Sequence, residues 1–240
     1  MEDAAVFERL HHQRIARVLD SFDGRLLVAH RCLFGGGTAM ALRFGEYRES
    51  VDIDFLVSDL AGYRALRQRL TGPDGIAAIV RAGADAPEQS REVRADQYGV
   101  RTRLRIDGEE IKFELVLEGR IELAAPGPGD LVRQVATLTS LDMAASELLA
   151  NSDRWRDDGV FSRDVIDLAM MSAPAALLRQ AAAKAEAAYG ADVRRDLAKA
   201  IEQLRTRTGW LERCMATMGM TLPRALLWQK VRSVGRALAS

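Results

Sequence analysis

The sequence predicts an α/β (α+β) chain: a mixed-sheet domain over residues 1–125, then an all-helical domain over residues 126–240. Three observations carry this. Runs with the period of two that marks a strand, at 51–55, 98–106 and 111–116, all lie in the first half. The stretch Ala124-Ala125-Pro126-Gly127-Pro128-Gly129-Asp130 is the clearest linker, because Pro and Gly end regular elements. Beyond it, apolar residues recur at helical spacing.

The elements follow in order. Residues 4–21 read as an amphipathic helix (Val6, Leu10, Val18), with His11 and His12 as surface residues. Asp23-Gly24 marks a turn, and Arg25 to Phe34 is the expected strand into the glycine run Gly35-Gly36-Gly37. Residues 38–46 read as a helix ending near Gly45, and Val51 to Phe55 as a strand. A helix over 59–70 (Leu60, Tyr63, Leu66, Leu70) closes at Gly72-Pro73-Asp74-Gly75. Ile76 to Arg81 reads as a short strand and 82–92 as a polar loop. Tyr98 to Ile106, the turn Asp107-Gly108 and Ile111 to Val116 form a hairpin, since Asp-Gly between alternating runs is a strong hairpin signal. Residues 130–151 read as one or two helices, 151–155 as a turn, and 162–168 as a helix start. Further helices are expected over 175–188, 192–207 and from Pro223. Trp155, Trp210, Trp228 and the methionines near 215–220 are expected to pack.

Composition excludes several classes. No apolar run nears the roughly 20 residues of a membrane span, and Met1-Glu2-Asp3 opens no signal peptide. The two cysteines, Cys32 and Cys214, are far apart, and three histidines give no zinc spacing. A cytoplasmic, reducing setting fits best. Net charge is zero, so the surface as a whole is not built for nucleic acid. All 34 basic residues except Lys112, Lys184, Lys199 and Lys230 are arginine, a bias that suits phosphate contacts or reflects codon usage.

The chemistry gathers in 34–55. Glycines let backbone approach a ligand closely. Gly35, Gly36 and Gly37 precede a helical pattern, so their N–H groups lie at a helix N-terminus, a ready phosphate site, and Thr38 adds a hydroxyl. Asp52 and Asp54 share one strand face while Val51, Ile53 and Phe55 share the other. Adjacent carboxylates repel unless a cation lies between them, and hard Mg²⁺ prefers such oxygens. On the return strand of the hairpin, Lys112 and Glu114 share a face opposite Ile111, Phe113 and Leu115. The bland alternative is a glycine turn, a surface Asp pair and a solvated hairpin face.

Gly36-Gly37-Thr38 followed by Arg48-x-Ser50-x-Asp52-Ile53-Asp54-Phe55 resembles the polymerase-β-like nucleotidyltransferases, and most of all the AbiEii/AbiGii toxins of type IV toxin–antitoxin systems. That resemblance implies a polymerase-β-like nucleotidyltransferase domain followed by a helical domain. It implies that Asp52, Asp54 and Glu114 (Glu where the branch has Asp) hold two Mg²⁺ ions. It gives Gly36, Gly37 and Thr38 the β- and γ-phosphates of an NTP. Lys112, with Arg48, offsets transition-state charge, and Ser50 bonds the nucleotide. Arg163, Asp164 and Asp167 match the family's Arg-Asp-x-x-Asp-Leu element, with the two acids on one helical face toward the nucleotide. The alternative for Arg48 is a pair with a nearby carboxylate; for Asp164 and Asp167, helix capping and salt bridges with Arg154, Arg156 or Arg163. One departure stands out: Glu147 occupies the place where the family carries a lysine, leaving Lys112 to serve instead or activity to be altered. The resemblance further implies NMP transfer to an RNA acceptor such as the tRNA 3′ end, and an antitoxin partner. Two other readings share the fold: a nucleotide- or protein-binding module without turnover, which Glu147 favours, and an enzyme that nucleotidylates protein.

Overall fold

A computed structural model describes residues 7–239, so the expected helical start at 4–6 lies outside the described residues. Two compact units form, Met1–Glu46 with Ser50–Thr139 and Tyr47–Glu49 with Ser140–Ser240. Residues 126–139, expected with the helices, group with the sheet unit.

The first unit opens with α1 (Leu10–Ser21), α2 (Gly24–Ala29), β1 (Cys32–Gly35) and α3 (Gly36–Arg43). It continues with β2 (Ile53–Val57), α4 (Leu60–Leu70), a 3₁₀ turn (Gly75–Ile79), β3 (Glu88–Gln89) and β4 (Arg94–Ala95). The hairpin β5 (Gly99–Ile106) and β6 (Glu109–Leu117) follows, then β7 (Leu131–Val132) and β8 (Val135–Ala136). The main sheet runs β1-β2-β6-β5-β3, with β4 also on β5. β2 and β6 are parallel and the other pairs antiparallel, so the sheet is mixed. Strand alternation divides its faces. Ile53, Phe55 and Val57 of β2, Ile111, Phe113 and Leu115 of β6, and Val100 and Leu104 of β5 are all buried. Phe22 meets Phe55 and Phe113 edge-on at 6.0 and 5.8 Å, and Phe55 packs on Phe34 at 5.5 Å. Such aromatic pairs each contribute roughly 0.5–1.5 kcal/mol beyond their buried area. The opposite face of the same strands carries the polar residues.

Several expectations are corrected. Over 24–29 the chain is helical, with the Asp23 side chain accepting from Leu26 N at 3.0 Å to cap α2; 30–31 turn, and only Cys32–Gly35 extends. The expected strand at 76–81 is a 3₁₀ turn, whose three-residue period buries Ile76 and Ile79. Residues 131–136 form the β7–β8 hairpin instead of a helix. Residues 151–154 continue a helix instead of turning. The polar loop at 82–92 holds the short strand β3, and the short strand β4 follows it. His12 is fully buried.

The second unit is helical as expected: α5 (Ser140–Arg154), α6 (Arg163–Met170), α7 (Ala175–Tyr189), α8 (Asp192–Thr206), α9 (Trp210–Thr217) and α10 (Arg224–Leu238). Ala144 and Ala145 of α5 and Ala181, Ala182 and Ala185 of α7 are fully buried. Small residues on both helices allow close axes. No described helix is long and apolar enough to cross a membrane.

Candidate active site

Gly35 ends β1 and precedes the first turn of α3. Gly36 has φ +66, and a Cβ placed on it would lie 2.7 Å from Oδ2 of Asp54. Conformation and space both demand glycine there, and the cradle backbone lies directly against the aspartate. The N–H groups of Gly36, Gly37 and Thr38 lack helical partners at this end. Thr38 is buried, and its Oγ1 lies 2.7 Å from the Ser50 hydroxyl, so two residues singled out in the sequence come together. Ser50 N donates to Nε2 of His12 at 3.1 Å. The ring proton therefore sits on Nδ1 and is donated to Glu46 at 2.7 Å. That buried imidazole fixes the backbone just ahead of the acids. Sequence reasoning missed it.

β2 starts two residues later than the strand expected from Val51, so Asp52 directly precedes it and Asp54 lies within it. Asp54 stands opposite Gly35 on β1 and opposite Glu114 on β6. Glu114 in turn stands opposite Arg101 on β5. Residues opposite each other in register share a face, so one row crosses the sheet from glycine to acid, acid and arginine. The Glu114 carboxylate, 16% exposed, accepts from Arg101 Nε at 2.9 Å and Lys112 Nζ at 2.5 Å. Arg101 also reaches Asp96 at 3.0 Å. Asp52 and Asp54 fit a divalent metal in donor type, two hard carboxylates beside a glycine cradle. Glu114 has its oxygens on two cations, and no metal-sized cluster of three acid, His or Cys groups forms among the described residues. Arg101 carried no signal in the sequence beyond its place in an alternating strand.

The other candidate residues belong to the helical unit. Arg48, 5% exposed, gives Nε and Nη2 to the two oxygens of Asp167, 1% exposed, each at 2.6 Å. The Tyr47 hydroxyl also donates to Asp167 at 2.7 Å. Burial opposes the charge of Arg48, but the Asp167 carboxylate outweighs it and holds the guanidinium above its ordinary value. Burial, then Asp167, raises the Tyr47 phenol well above its own. Asp164 forms a two-point pair with Arg154 at 3.0 and 2.7 Å, with Arg163 3.8 Å away. Arg48 and Asp164 thus adopt ion pairs of the kind the sequence left open as the alternative, whereas Asp167 pairs with Arg48 and with none of the three arginines considered for it.

Glu147 lies buried within this cluster. Burial first, then the carboxylates of Asp167 and Asp164, push it well above the usual carboxylate range, against Arg48 and Arg154. A protonated Glu147 leaves two arginines balanced by two aspartates. The pH consequence has a definite sign. The folded chain retains a proton that the unfolded chain releases above about 4.5, so stability falls as pH rises from there toward the folded value. The slope reaches at most about 1.4 kcal/mol per pH unit. Glu147→Gln mimics the protonated form. In urea unfolding from pH 5 to 8.5 it is expected to lack this decline and to exceed the natural protein most at the alkaline end.

A helix-opening glycine cradle pressed against an aspartate, with a second acid in register on a parallel neighbour, has the groups to hold phosphates and a divalent cation together. Residues 17–233 match the nucleotidyl transferase AbiEii toxin family of type IV TA systems. The chain belongs to that family and is a nucleotidyltransferase. Among solved structures, a proposed nucleotidyltransferase from H. pylori is similar with TM-score 0.50 and 15% identity, covering 100% of this chain and 97% of that one. JHP933 from Helicobacter pylori has the same score and identity, with 98% and 95% covered. At that identity the likeness speaks for the fold alone. No curated protein matches the sequence.

Proposed function

We propose that this chain transfers an NMP from an NTP to an acceptor hydroxyl on RNA, with Mg²⁺, as the toxin of a toxin–antitoxin pair. The observation that carries the reading is the register of Asp54 with Glu114, directly against Gly36. Backbone N–H groups of Gly36 and Gly37 bind the β- and γ-phosphates at the start of α3. The Thr38–Ser50 hydroxyl pair holds the cradle to the segment bearing Asp52. Asp52 and Asp54 are the oxygen donors for the metal, with Glu114 in line to join them. Mg²⁺ held by these carboxylates would supply Lewis acidity toward the acceptor hydroxyl and charge neutralisation at the phosphates. The acceptor oxygen forms a bond to the α-phosphorus and its proton passes to water, as the bond to the α–β bridging oxygen breaks and pyrophosphate leaves. Lys112, beside Glu114, offsets charge that grows on the phosphates.

Glu147 lends no weight to a module without turnover, because it is buried inside the helical unit among Arg48, Arg154 and their aspartates. Membership in a toxin–antitoxin family supports an antitoxin partner, and a tRNA 3′ end as the RNA acceptor is part of the proposal. Calorimetric titration with each NTP and Mg²⁺ tests the site. One NTP is expected to bind with Mg²⁺, and Asp52→Ala/Asp54→Ala is expected to remove that binding. Equal binding by the double variant would remove the two aspartates from the site.

A further inference from the structure

The polar face of the sheet does not end at Glu114. Next to it lies an open groove of about 540 Å³, lined among others by Arg91, Arg94, Arg101, Arg103 and Lys112, with Glu92 as its carboxylate. Two of the lining cations, Arg101 and Lys112, are the pair that grips Glu114. The groove therefore begins where the acid row stops. In a chain of zero net charge, such a concentration of cations is a local feature.

The register makes the concentration more pointed. Arg94 on β4 stands opposite Arg101 on β5, and Arg103 on β5 stands opposite Lys112 on β6. Like charges directly opposite each other destabilise a sheet, and β-hairpins usually place opposite charges there. Glu114 and Asp96 answer Arg101 and Lys112, so the other member of each pair, Arg94 and Arg103, is the one left for an anion lying over the strands. Arg103, 47% exposed, has only a distant carboxylate, Glu110, at 3.9 Å. Arg94 forms no ion pair among the described residues. Adjacent strands lie about 4.8 Å apart, so Arg94 is two strand spacings, roughly 10 Å, from Glu114. A single phosphate cannot span that distance; a chain of them can. The lining contains no aromatic residue, so the groove offers charge without a stacking platform.

We propose that this groove holds the phosphate backbone of a single-stranded RNA end, delivering its terminal hydroxyl to Asp54 and Glu114. The proposal rests on the transferase reading and adds to it where the acceptor lies. Arg94, Arg103 and Arg91 bind successive phosphates, and Arg101 joins the track to the acid row. Recognition through phosphates alone is tolerant of sequence and steeply dependent on salt.

The test is fluorescence anisotropy of a labelled single-stranded RNA, with Arg91→Ala/Arg94→Ala/Arg103→Ala as the variant. These three residues are exposed and leave the groups touching Glu114 in place. The variant is expected to bind RNA at least tenfold more weakly. The slope of log affinity against log salt should become shallower by about 2, near 0.7 for each of three lost contacts. NTP binding with Mg²⁺ should be unchanged. Arg91→Lys/Arg94→Lys/Arg103→Lys, which keeps the charge, should retain most of the affinity and the slope. Unchanged RNA affinity and slope in the alanine variant would overturn the proposal. So would loss of NTP binding with RNA binding intact, which would give the groove to the triphosphate. Capture of poly-glutamate through these arginines by a chain that binds no RNA would assign the groove to an acidic protein and equally overturn it. The two readings separate cleanly: RNA held through the groove by a chain that binds no NTP sinks the transfer reaction and leaves the groove standing, and the converse result does the reverse.

Discussion

Asp54→Asn is expected to lower nucleotidyl transfer by about a thousandfold or more while leaving the fold intact. The substitution is isosteric, so the backbone packing of Gly36 against residue 54, with 2.7 Å between a Gly36 Cβ position and Oδ2, is preserved. What disappears is one full negative charge and one strong oxygen donor. A positioned metal contributes several kcal/mol of charge stabilisation in the transition state, and each 1.36 kcal/mol is tenfold in rate. Loss of a donor is thus a loss of about three powers of ten. Asp107→Asn, at the exposed tip of the β5–β6 hairpin, serves as the surface control and should change the rate little. Circular dichroism and urea midpoint should match the natural chain in both. An Asp54→Asn protein with nearly full activity would move the chemistry away from the acid row.

The second large effect concerns stability. Arg48→Ala leaves Asp167, 1% exposed, with its charge buried and both guanidinium contacts gone. Breaking a buried ion pair by removing one partner costs about 3–5 kcal/mol, against net stabilities of about 5–15 kcal/mol. The Tyr47 hydroxyl, 2.7 Å from Asp167, softens the loss without replacing the charge. Arg48→Met/Asp167→Leu removes both charges together and should cost markedly less, since an apolar pair carries no desolvation penalty. Urea unfolding of the two variants makes the comparison. A loss below about 1 kcal/mol for Arg48→Ala would show that the arginine is spare in the fold and available to a ligand.

The contrast between these two residues shows what a sequence yields. The place of Asp54 on a strand beside the glycine run was legible because strand alternation and a glycine run are local signals. The hairpin was legible for the same reason: Asp107 and Gly108 take φ of 48 and 82, the left-handed pair that an Asp-Gly turn provides. Arg48 is different. Its partner lies 119 residues away, and nothing near it in the chain announces the pairing. Arg101 and Arg94 hide behind the same difficulty, since their meaning depends on which strand lies beside which. The two-residue strands β3 and β4 are too short to show a period. The run Leu26-Leu27-Val28-Ala29 was ambiguous by composition, and one capping hydrogen bond from Asp23 decided it. His12, beside His11 in an amphipathic helix, looked like surface. Only the fold shows it locked between Ser50 and Glu46.

The central claim is the reaction class, and the position of the label tests it most directly. The natural chain would be incubated with Mg²⁺, RNA and an NTP labelled either on the α- or on the γ-phosphate. Nucleotidyl transfer puts the α-label on RNA, releases the γ-label in pyrophosphate, and fails in both respects with Asp54→Asn. A γ-label on the acceptor would make the chain a phosphotransferase, and an α-label on protein instead of RNA would contradict the RNA acceptor proposed for it.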